Sequence, residues 1–198
     1  MTPPPLRAQT SLYDRLLALS DTVVGEILDG ELVTSPRPVN RHSSAILRLA
    51  TRLEGPYEEG VDGPGGWLFL VEPQVHLSPD VLVPDLAGWR LERLPPETLP
   101  DYFDIAPDWV CEVLSPSTVR YDRGAKLRIY GRTGVGHVWL VDPGAGTLET
   151  YRLKDGFWVL LGTYRAADEV AAEPFQAAAF RLDRLWHHGR GTAVQPGG

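Results

Sequence analysis

Residues 109–142 read WVCEVLSPSTVRYDRGAKLRIYGRTGVGHVWLVD, and this stretch decides the fold class. Its first and last segments, WVCEV and HVWLVD, are short and mostly apolar, which is typical of buried strands. Residues 119–132 between them have a helical pattern that stops at Gly134. Strand, helix and strand in this order predict a βαβ crossover, in which the two strands lie parallel. The sequence therefore predicts an α/β fold with a partly parallel sheet.

Two Asp-Gly pairs predict antiparallel hairpins on either side of this crossover. Asp29-Gly30 lies between apolar runs at 23–28 and 31–35, and Asp155-Gly156 separates two alternating runs near the C-terminus. Asp-Gly is a strong hairpin signal because a type I′ turn needs a positive φ at both central residues. The expected fold is thus a mixed β-sheet flanked by helices, with an N-terminal β-hairpin.

The remaining elements are predicted from periodicity. Helical spacing occurs at 11–19 and in the segment that begins at Asn40 and ends before Gly55-Pro56. WLFLVEPQVHLS (67–78) and DVLVPDLAGWR (80–90) alternate like two paired strands, and FRLDRLW (180–186) fits a final short helix.

Length and composition favour one domain in the cytoplasm. The 198 residues fit a single domain at 11–188, with flexible termini at 1–10 and 189–198. Cys111 is the only cysteine, so no internal disulfide forms, and no apolar run approaches the ~20 residues of a membrane span. The net charge of −7 opposes a broad attraction to DNA but allows basic groups close to a metal site.

Carboxylates are the candidate catalytic groups. Glu112 interrupts an otherwise apolar buried strand, and a buried carboxylate is costly unless it is paired or ligated. Asp85 follows Pro84 at the end of a neighbouring predicted strand. Hydrolysis of a phosphodiester with Mg²⁺ needs one or two such oxygen ligands. For Asp85, a turn acid after proline is the simpler interpretation of the residues alone.

Two other Pro-Asp pairs compete with Asp85. Asp108 lies four residues before Glu112, roughly 13 Å away on one strand, which is too far to share an ion. Asp80 points to the opposite face if its strand is regular, and a turn position is expected for it.

Several motifs in order resemble the bacterial Uma-type restriction endonuclease family of the PD-(D/E)XK superfamily. They are VPDLAGWR (83–90), APDWVCEVLSPST (106–118), Asp122-x3-Lys126-x3-Tyr130 and GVGHVWLVDP (134–143). The resemblance covers about residues 23–186. It implies a restriction endonuclease-like core, DNA as the substrate, and Asp85 and Glu112 as ligands of Mg²⁺ or Mn²⁺.

The lysine of the superfamily pattern is displaced in this chain. The pattern places a lysine two residues after the glutamate, where its charge can stabilise the phosphorane, but Leu114 stands there. The resemblance implies that Lys126 on the following helix replaces it. An exposed i,i+4 ion pair with Asp122 explains Lys126 equally well.

Other polar residues carry weaker expectations. His42 lies in the first helical turn and matches a family histidine, which gives it a substrate-binding role, although a core or capping histidine is commoner. Glu26 also matches a family residue, but a strand-end acid is the simpler account. Phosphate contacts are open to Arg120, Arg123 and Arg128, although most such arginines only solubilise a helix. Trp67, Trp109 and Trp139 are expected in the core.

Two hypotheses follow. The first is a metal-dependent endonuclease in which Asp85 and Glu112 hold the metal, Lys126 stabilises charge and His42 contacts the substrate. The second is a non-catalytic interaction protein that retains the fold as a homodimer, which the acidic composition and Leu114 both favour.

Overall fold

A computed structural model describes residues 10–37, 40–95 and 99–186 of the chain. The predicted flexible termini, apart from residue 10, lie outside these ranges, as does the end of the predicted domain at 187–188. The α-helices are α1 (Leu12–Leu17), α2 (Asn40–Leu53), α3 (Val119–Tyr121) and α4 (Leu127–Thr133). The strands are β1 (Val23–Leu28), β2 (Glu31–Pro36), β3 (Trp67–Val71), β4 (Val75–Leu77), β5 (Asp80–Leu82), β6 (Leu86–Arg90), β7 (Trp109–Val113), β8 (His137–Asp142), β9 (Thr147–Lys154), β10 (Phe157–Arg165), β11 (Glu169–Val170) and β12 (Phe180–Arg181). Two π-helical turns (Glu54–Glu59 and Asp122–Lys126) and two 3₁₀ turns (Leu91–Arg93 and Leu182–Leu185) complete the described elements.

A six-stranded mixed sheet forms the centre of the molecule. Its order is β10-β9-β8-β7-β6-β3, with β7 and β8 parallel and the other neighbours antiparallel. The chain crosses from β7 to β8 through α3, the second π turn and α4. The predicted βαβ unit and the predicted mixed sheet are therefore confirmed.

Both predicted Asp-Gly hairpins form. The φ angles are +52° and +82° at Asp29 and Gly30, and +52° and +81° at Asp155 and Gly156. Positive φ at both central residues is the mark of a type I′ turn, which matches the twist of the flanking strands. The first turn joins β1 to β2 and the second joins β9 to β10.

The segment between α2 and residue 90 differs from the prediction of two strands. Each predicted strand is broken, so that β3 pairs with β6 in the central sheet while β4 pairs with β5 in a second sheet. That second sheet has the order β2-β1-β5-β4 and includes the N-terminal hairpin. Residues 72–74 and 83–85 form the two crossings between the sheets. Asp85 lies in the second crossing, directly before β6.

Helix α2 ends at Leu53, before Gly55-Pro56 as predicted, but the chain continues as a π turn rather than as a loop. Pro56 has no N–H to continue the α-helical ladder. The turn closes at Gly60, whose φ of +74° is left-handed.

Two apolar layers cover the faces of the central sheet. One contains Trp109, Cys111 and Val113 of β7 and packs against α2. The other contains Val110 and Leu114 and packs against α4. Because side chains alternate along a strand, Glu112 faces the α4 side. The three tryptophans expected in the core, Trp67, Trp109 and Trp139, are all buried.

Among the helices within the described ranges, none has the length and apolar character needed to cross a bilayer.

Candidate active site

Glu112 is buried in the middle of the sheet, with 1% of its surface exposed. Its Oε1 accepts a hydrogen bond of 2.5 Å from the Tyr130 hydroxyl and lies 3.0 Å from Lys126 Nζ. Its Oε2 accepts a second bond of 3.1 Å from the same ammonium. Burial, reinforced by neighbouring carboxylates such as Asp122, raises the pKa of Glu112, and Lys126 opposes this rise. The buried carboxylate is therefore paired, with a lysine and a tyrosine as its partners.

Lys126 lies at the centre of three carboxylates. Its Nζ is 3.1 Å from Glu26 Oε1 and 3.5 Å from Asp122 Oδ1, in addition to the contact with Glu112. The predicted i,i+4 pair with Asp122 exists, but its expected exposure is wrong, because Lys126 is only 4% exposed. Burial opposes the charged ammonium, but attraction to Glu112 and Glu26 prevails and raises the pKa of Lys126 well above its usual value.

The π turn at Asp122–Lys126 aims these side chains at the sheet. A π turn closes i→i+5 bonds and so holds one more residue than an α turn, and such turns are frequent at functional sites. Asp122 and Lys126, the first and last residues of the turn, are both buried, and Lys126 Nζ contacts both Asp122 and Glu112. The helical pattern in the sequence located the helix but gave no sign of the extra residue.

Asp85 is held at the end of β7 by backbone contacts. Its Oδ2 accepts a 2.6 Å hydrogen bond from the Val113 N–H, next to Glu112. Its carbonyl accepts a bond from the N–H of Glu72, whose φ of +49° is unusual for a side-chain-bearing residue. The two crossings between the sheets therefore fix Asp85 in place.

His42 reaches Asp85 from the first turn of α2. Its Nε2 is 3.2 Å from Asp85 Oδ2, and the side chain is 9% exposed. Burial disfavours the charged imidazolium, but the hydrogen bond and charge of Asp85 outweigh burial and raise the pKa of His42. The structure thus brings His42 against a predicted metal ligand, and its predicted substrate contact stays a prediction.

Glu26 and Asp122 belong to the same cluster, through their contacts with Lys126, although neither is among the predicted site residues. Glu26 is 6% exposed and accepts the Val83 N–H at 2.9 Å, so the account of a simple strand-end acid is wrong. Asp122 is 2% exposed, and burial raises its pKa against the opposing charge of Lys126. The signal that identified Glu112, a carboxylate within an apolar strand, was also present for Glu26 in VVGEIL.

The competing Pro-Asp residues are committed to structural contacts. Asp108 accepts the Arg90 N–H at 2.8 Å and pairs with Arg93 at 2.8 Å. Asp80 is the first residue of β5 rather than a turn residue, and it is buried. It accepts the Asp29 N–H at 2.8 Å and pairs with Arg132. The choice of Asp85 over both is consistent with these contacts.

The three arginines that were candidates for phosphate contacts all have partners within the chain. Arg123 pairs with Glu149 at 2.7 Å and Arg128 pairs with Asp29 at 2.9 Å. The guanidinium of Arg120 lies over the ring of Tyr121, 4.4 Å from its centroid.

A cleft of about 240 Å³ opens beside this cluster, between the two sheets and the start of α3. All four predicted site residues line it, as do the two that were missed: His42, Asp85, Glu112, Lys126, Glu26 and Asp122.

The donor set has the chemistry of a site for a hard divalent cation. The carboxylates of Glu26, Asp85, Glu112 and Asp122 share the cleft with Lys126, whereas Glu72 and Arg37, which also line it, pair with each other at 3.4 Å. Excess negative charge around Lys126 favours uptake of a cation. Asp85 Oδ1 has no hydrogen-bond partner among the described residues, whereas both oxygens of Glu112 already accept bonds. Within the described ranges, no three His, Cys, Asp or Glu residues converge on a common point as metal ligands do.

Comparison with known proteins gives the family and the fold of the chain. The model of the Uma2 family, described as "Putative restriction endonuclease", matches residues 12–184. The uncharacterised protein slr1290 of Synechocystis sp. (strain PCC 6803) is 29% identical over 166 residues, which cover 81% of this chain and 82% of that protein. A crystal structure from Anabaena variabilis, described as "a putative nuclease belonging to DUF820", superposes with a TM-score of 0.72 at 21% identity, covering 88% of this chain and 96% of the other.

The likeness to the Anabaena protein confirms the predicted restriction endonuclease-like α/β fold. The family match extends over both sheets, the βαβ crossover and all of the residues that line the cleft. The chain belongs to the Uma2 family of restriction endonuclease-like proteins.

Proposed function

We propose that this protein is a metal-dependent endonuclease that hydrolyses DNA phosphodiester bonds. The observation that carries the proposal is the buried pair of Glu112 and Lys126 on the wall of an open cleft that Asp85 and His42 also line. Family membership supports it, because the family description and the description of the Anabaena structure both name nucleases. DNA is accordingly the proposed substrate.

Asp85 and Glu112 are the proposed ligands of Mg²⁺ or Mn²⁺. A bound divalent cation supplies Lewis-acid activation of the phosphodiester. Asp85 contributes the oxygen that has no partner, and the Val113 N–H and His42 hold the carboxylate in place. Glu112 contributes a carboxylate whose burial favours neutralisation by a cation.

Lys126 is the proposed charge-stabilising group. Its raised pKa keeps the ammonium protonated at neutral pH, so it acts electrostatically and not as a general base. A fixed positive charge in a poorly solvated site stabilises negative charge that develops on the phosphate. In the superfamily pattern this role belongs to a lysine on the strand, and here we assign it to Lys126 in the π turn before α4. Leu114, at the strand position, packs in the apolar layer.

His42 is the proposed substrate-binding residue. Its raised pKa favours the imidazolium form, which can contact a phosphate while Nε2 holds Asp85.

The proposal is tested by titrating the protein with Mn²⁺ in a calorimeter and assaying cleavage of single-stranded, duplex and branched DNA. We expect Asp85→Asn and Glu112→Gln to abolish Mn²⁺ binding and to lower cleavage by at least about a hundredfold. Asp108→Asn is the matched control, because it makes the same exchange in a Pro-Asp pair that does not line the cleft. An absence of Mn²⁺ binding by the wild type, or unchanged cleavage by Asp85→Asn, contradicts the proposal.

One observation favours the homodimer of the second candidate, a non-catalytic interaction protein. Strand β10 is an edge strand of the central sheet, and it exposes Phe157, Val159, Leu160 and Leu161. An apolar edge strand is a template for pairing with another chain. Such a dimer is also compatible with the nuclease.

A further inference from the structure

The basic side chains of this acidic protein are unevenly distributed. Helix α2, 14 residues long, contains Arg41, Arg48 and Arg52 and no acidic residue, in a chain whose net charge is −7. At 3.6 residues per turn the three arginines lie within about 40° of one another around the helix axis, so they form one stripe. The stripe lies about a quarter turn from His42, which faces the cleft.

Arg184 extends the stripe onto the neighbouring 3₁₀ turn. Arg48 and Arg52 both approach the Arg184 carbonyl, at 3.5 and 3.3 Å. Burial, followed by repulsion from Arg48 and Arg184, lowers the pKa of Arg52. Asp183 is the carboxylate next to Arg184, at 4.0 Å, and it also pairs with Arg181. Three arginines are therefore close together at this end of α2, and Asp183 is a carboxylate that contacts both Arg184 and Arg181.

Arg41 lies at a position where a positive charge destabilises the helix. It is exposed in the first turn of α2, and the positive end of the helix dipole disfavours positive side chains there. The same combination of a cation and a helix N-terminus attracts an anion. Arg41 also borders a groove of about 560 Å³ between α2 and the C-terminal turn, lined by Asn40, Arg41, Ser44, Pro143, Leu185 and Trp186.

We infer that the arginine stripe of Arg41, Arg48, Arg52 and Arg184 is the surface on which the sugar-phosphate backbone of DNA binds outside the catalytic cleft. This inference rests on the proposed function for the identity of the polyanion. The stripe spans about 16 Å along α2, which matches roughly five base pairs of duplex at 3.4 Å each. It begins beside His42, so one strand can run from the cleft onto the stripe. The stripe is a local positive charge that attracts DNA, although the net charge of the whole chain is negative.

The test measures DNA binding without cleavage. Wild-type protein in EDTA is titrated against a fluorescein-labelled DNA duplex at several salt concentrations, and affinity is read by fluorescence anisotropy. The test variant is Arg41→Glu with Arg184→Glu, since Arg41 is exposed and the Arg184 side chain is 67% exposed. The control variant is Arg15→Glu with Lys154→Glu, two exposed cations outside the groove and the cleft, which changes the net charge equally.

We expect the test variant to bind at least about tenfold more weakly at low salt and to lower the slope of log affinity against log salt by about 2, because each phosphate contact contributes about 0.9. The control should retain the wild-type slope. Equal losses in both variants, unchanged binding in the test variant, or no DNA binding by the wild type overturn the inference.

The experiments distinguish failure of the proposed DNA-binding stripe from failure of the proposed catalytic function. If the stripe variant loses binding but the wild type never cleaves DNA with Mn²⁺, the surface stands and catalysis fails. If the wild type cleaves and the stripe variant binds normally, catalysis stands and the surface fails.

Discussion

At the scale of single residues, the burial of Glu112 has a measurable signature. Its carboxylate is surrounded by Glu26, Asp85 and Asp122, with Lys126 as the one lysine of the cluster. A carboxyl whose pKa is raised by folding binds a proton more tightly in the native state. The free energy of unfolding therefore falls as pH rises from the unfolded pKa to the folded one.

We predict that Glu112→Gln removes this loss of stability in metal-free protein. The free energy of unfolding of the variant, relative to the wild type, should rise with pH above 4.5, the ordinary pKa of a glutamate, by up to about 1.4 kcal/mol per pH unit. Urea unfolding in EDTA at pH 5, 6, 7 and 8 measures it. Glu149→Gln is the control. Arg123 lowers the pKa of Glu149, so the contribution of this carboxylate to the free energy of unfolding changes with pH in the opposite direction. A constant difference between Glu112→Gln and wild type across this range contradicts the prediction.

The residues of the site were accessible to sequence reasoning to different degrees. Glu112 could be found from the cost of burying a carboxylate in WVCEV, and Asp85 only from the family motif. Asp122 could not be recognised as buried, because the helical period that places it in an exposed pair is broken by a π turn. The α-helical period of a sequence gives no sign of the extra residue that a π turn contains.

At the scale of elements, the N-terminal hairpin is anchored by Asp80. The buried carboxylate of Asp80 accepts the Asp29 N–H in the turn and pairs with Arg132 of α4. The hairpin carries Glu26, and Lys126 lies just before α4. Asp80 therefore joins the two elements that supply these side chains.

Asp80→Ala is expected to lower the free energy of unfolding by about 1–3 kcal/mol, because it leaves the Asp29 N–H without its acceptor and removes one of the two carboxylates that pair with Arg132. Urea denaturation measures the loss. Arg128→Gln is the matched control: it removes the exposed pair with Asp29, whose side chains are 65% and 34% exposed, and should cost about 0.5 kcal/mol or less. Equal effects of the two substitutions would show that Asp80 does not anchor the hairpin.

The predicted elements were reliable where a local signal was sufficient. Asp-Gly turns and the apolar strands β7 and β8 follow from nearby residues, and the structure contains them. The breaks at 72–74 and 83–85 depend on which sheet each half of a strand joins. Pro73 and Pro84 lie at the two breaks and are a local signal for them, because proline cannot donate to a strand ladder. The sheet that each half joins has no local signal, because alternation is the same on both sides.

At the scale of the whole molecule, the exposed edge at β10 predicts self-association. We expect the wild type to sediment as a dimer and Leu160→Lys to sediment as a monomer, because a charge on an apolar edge strand blocks pairing. Leu47→Lys, at a leucine that is 67% exposed on α2, is the control and should remain dimeric. A wild type that is monomeric at every concentration in sedimentation velocity rules the dimer out.

The broken strands also determine how the molecule can move. Residues 72–74 and 83–85 are short links that tie the small sheet to the central one, and the Glu72 N–H joins the two links at Asp85. Widening the cleft means bending both links together and disturbing the hydrogen bond from the Glu72 N–H to the Asp85 carbonyl. Hinge closure needs a few residues free to change their φ and ψ angles, and these links leave little such freedom. We therefore expect the cleft to keep its shape on binding, so that the nucleic acid, rather than the protein, adapts its conformation.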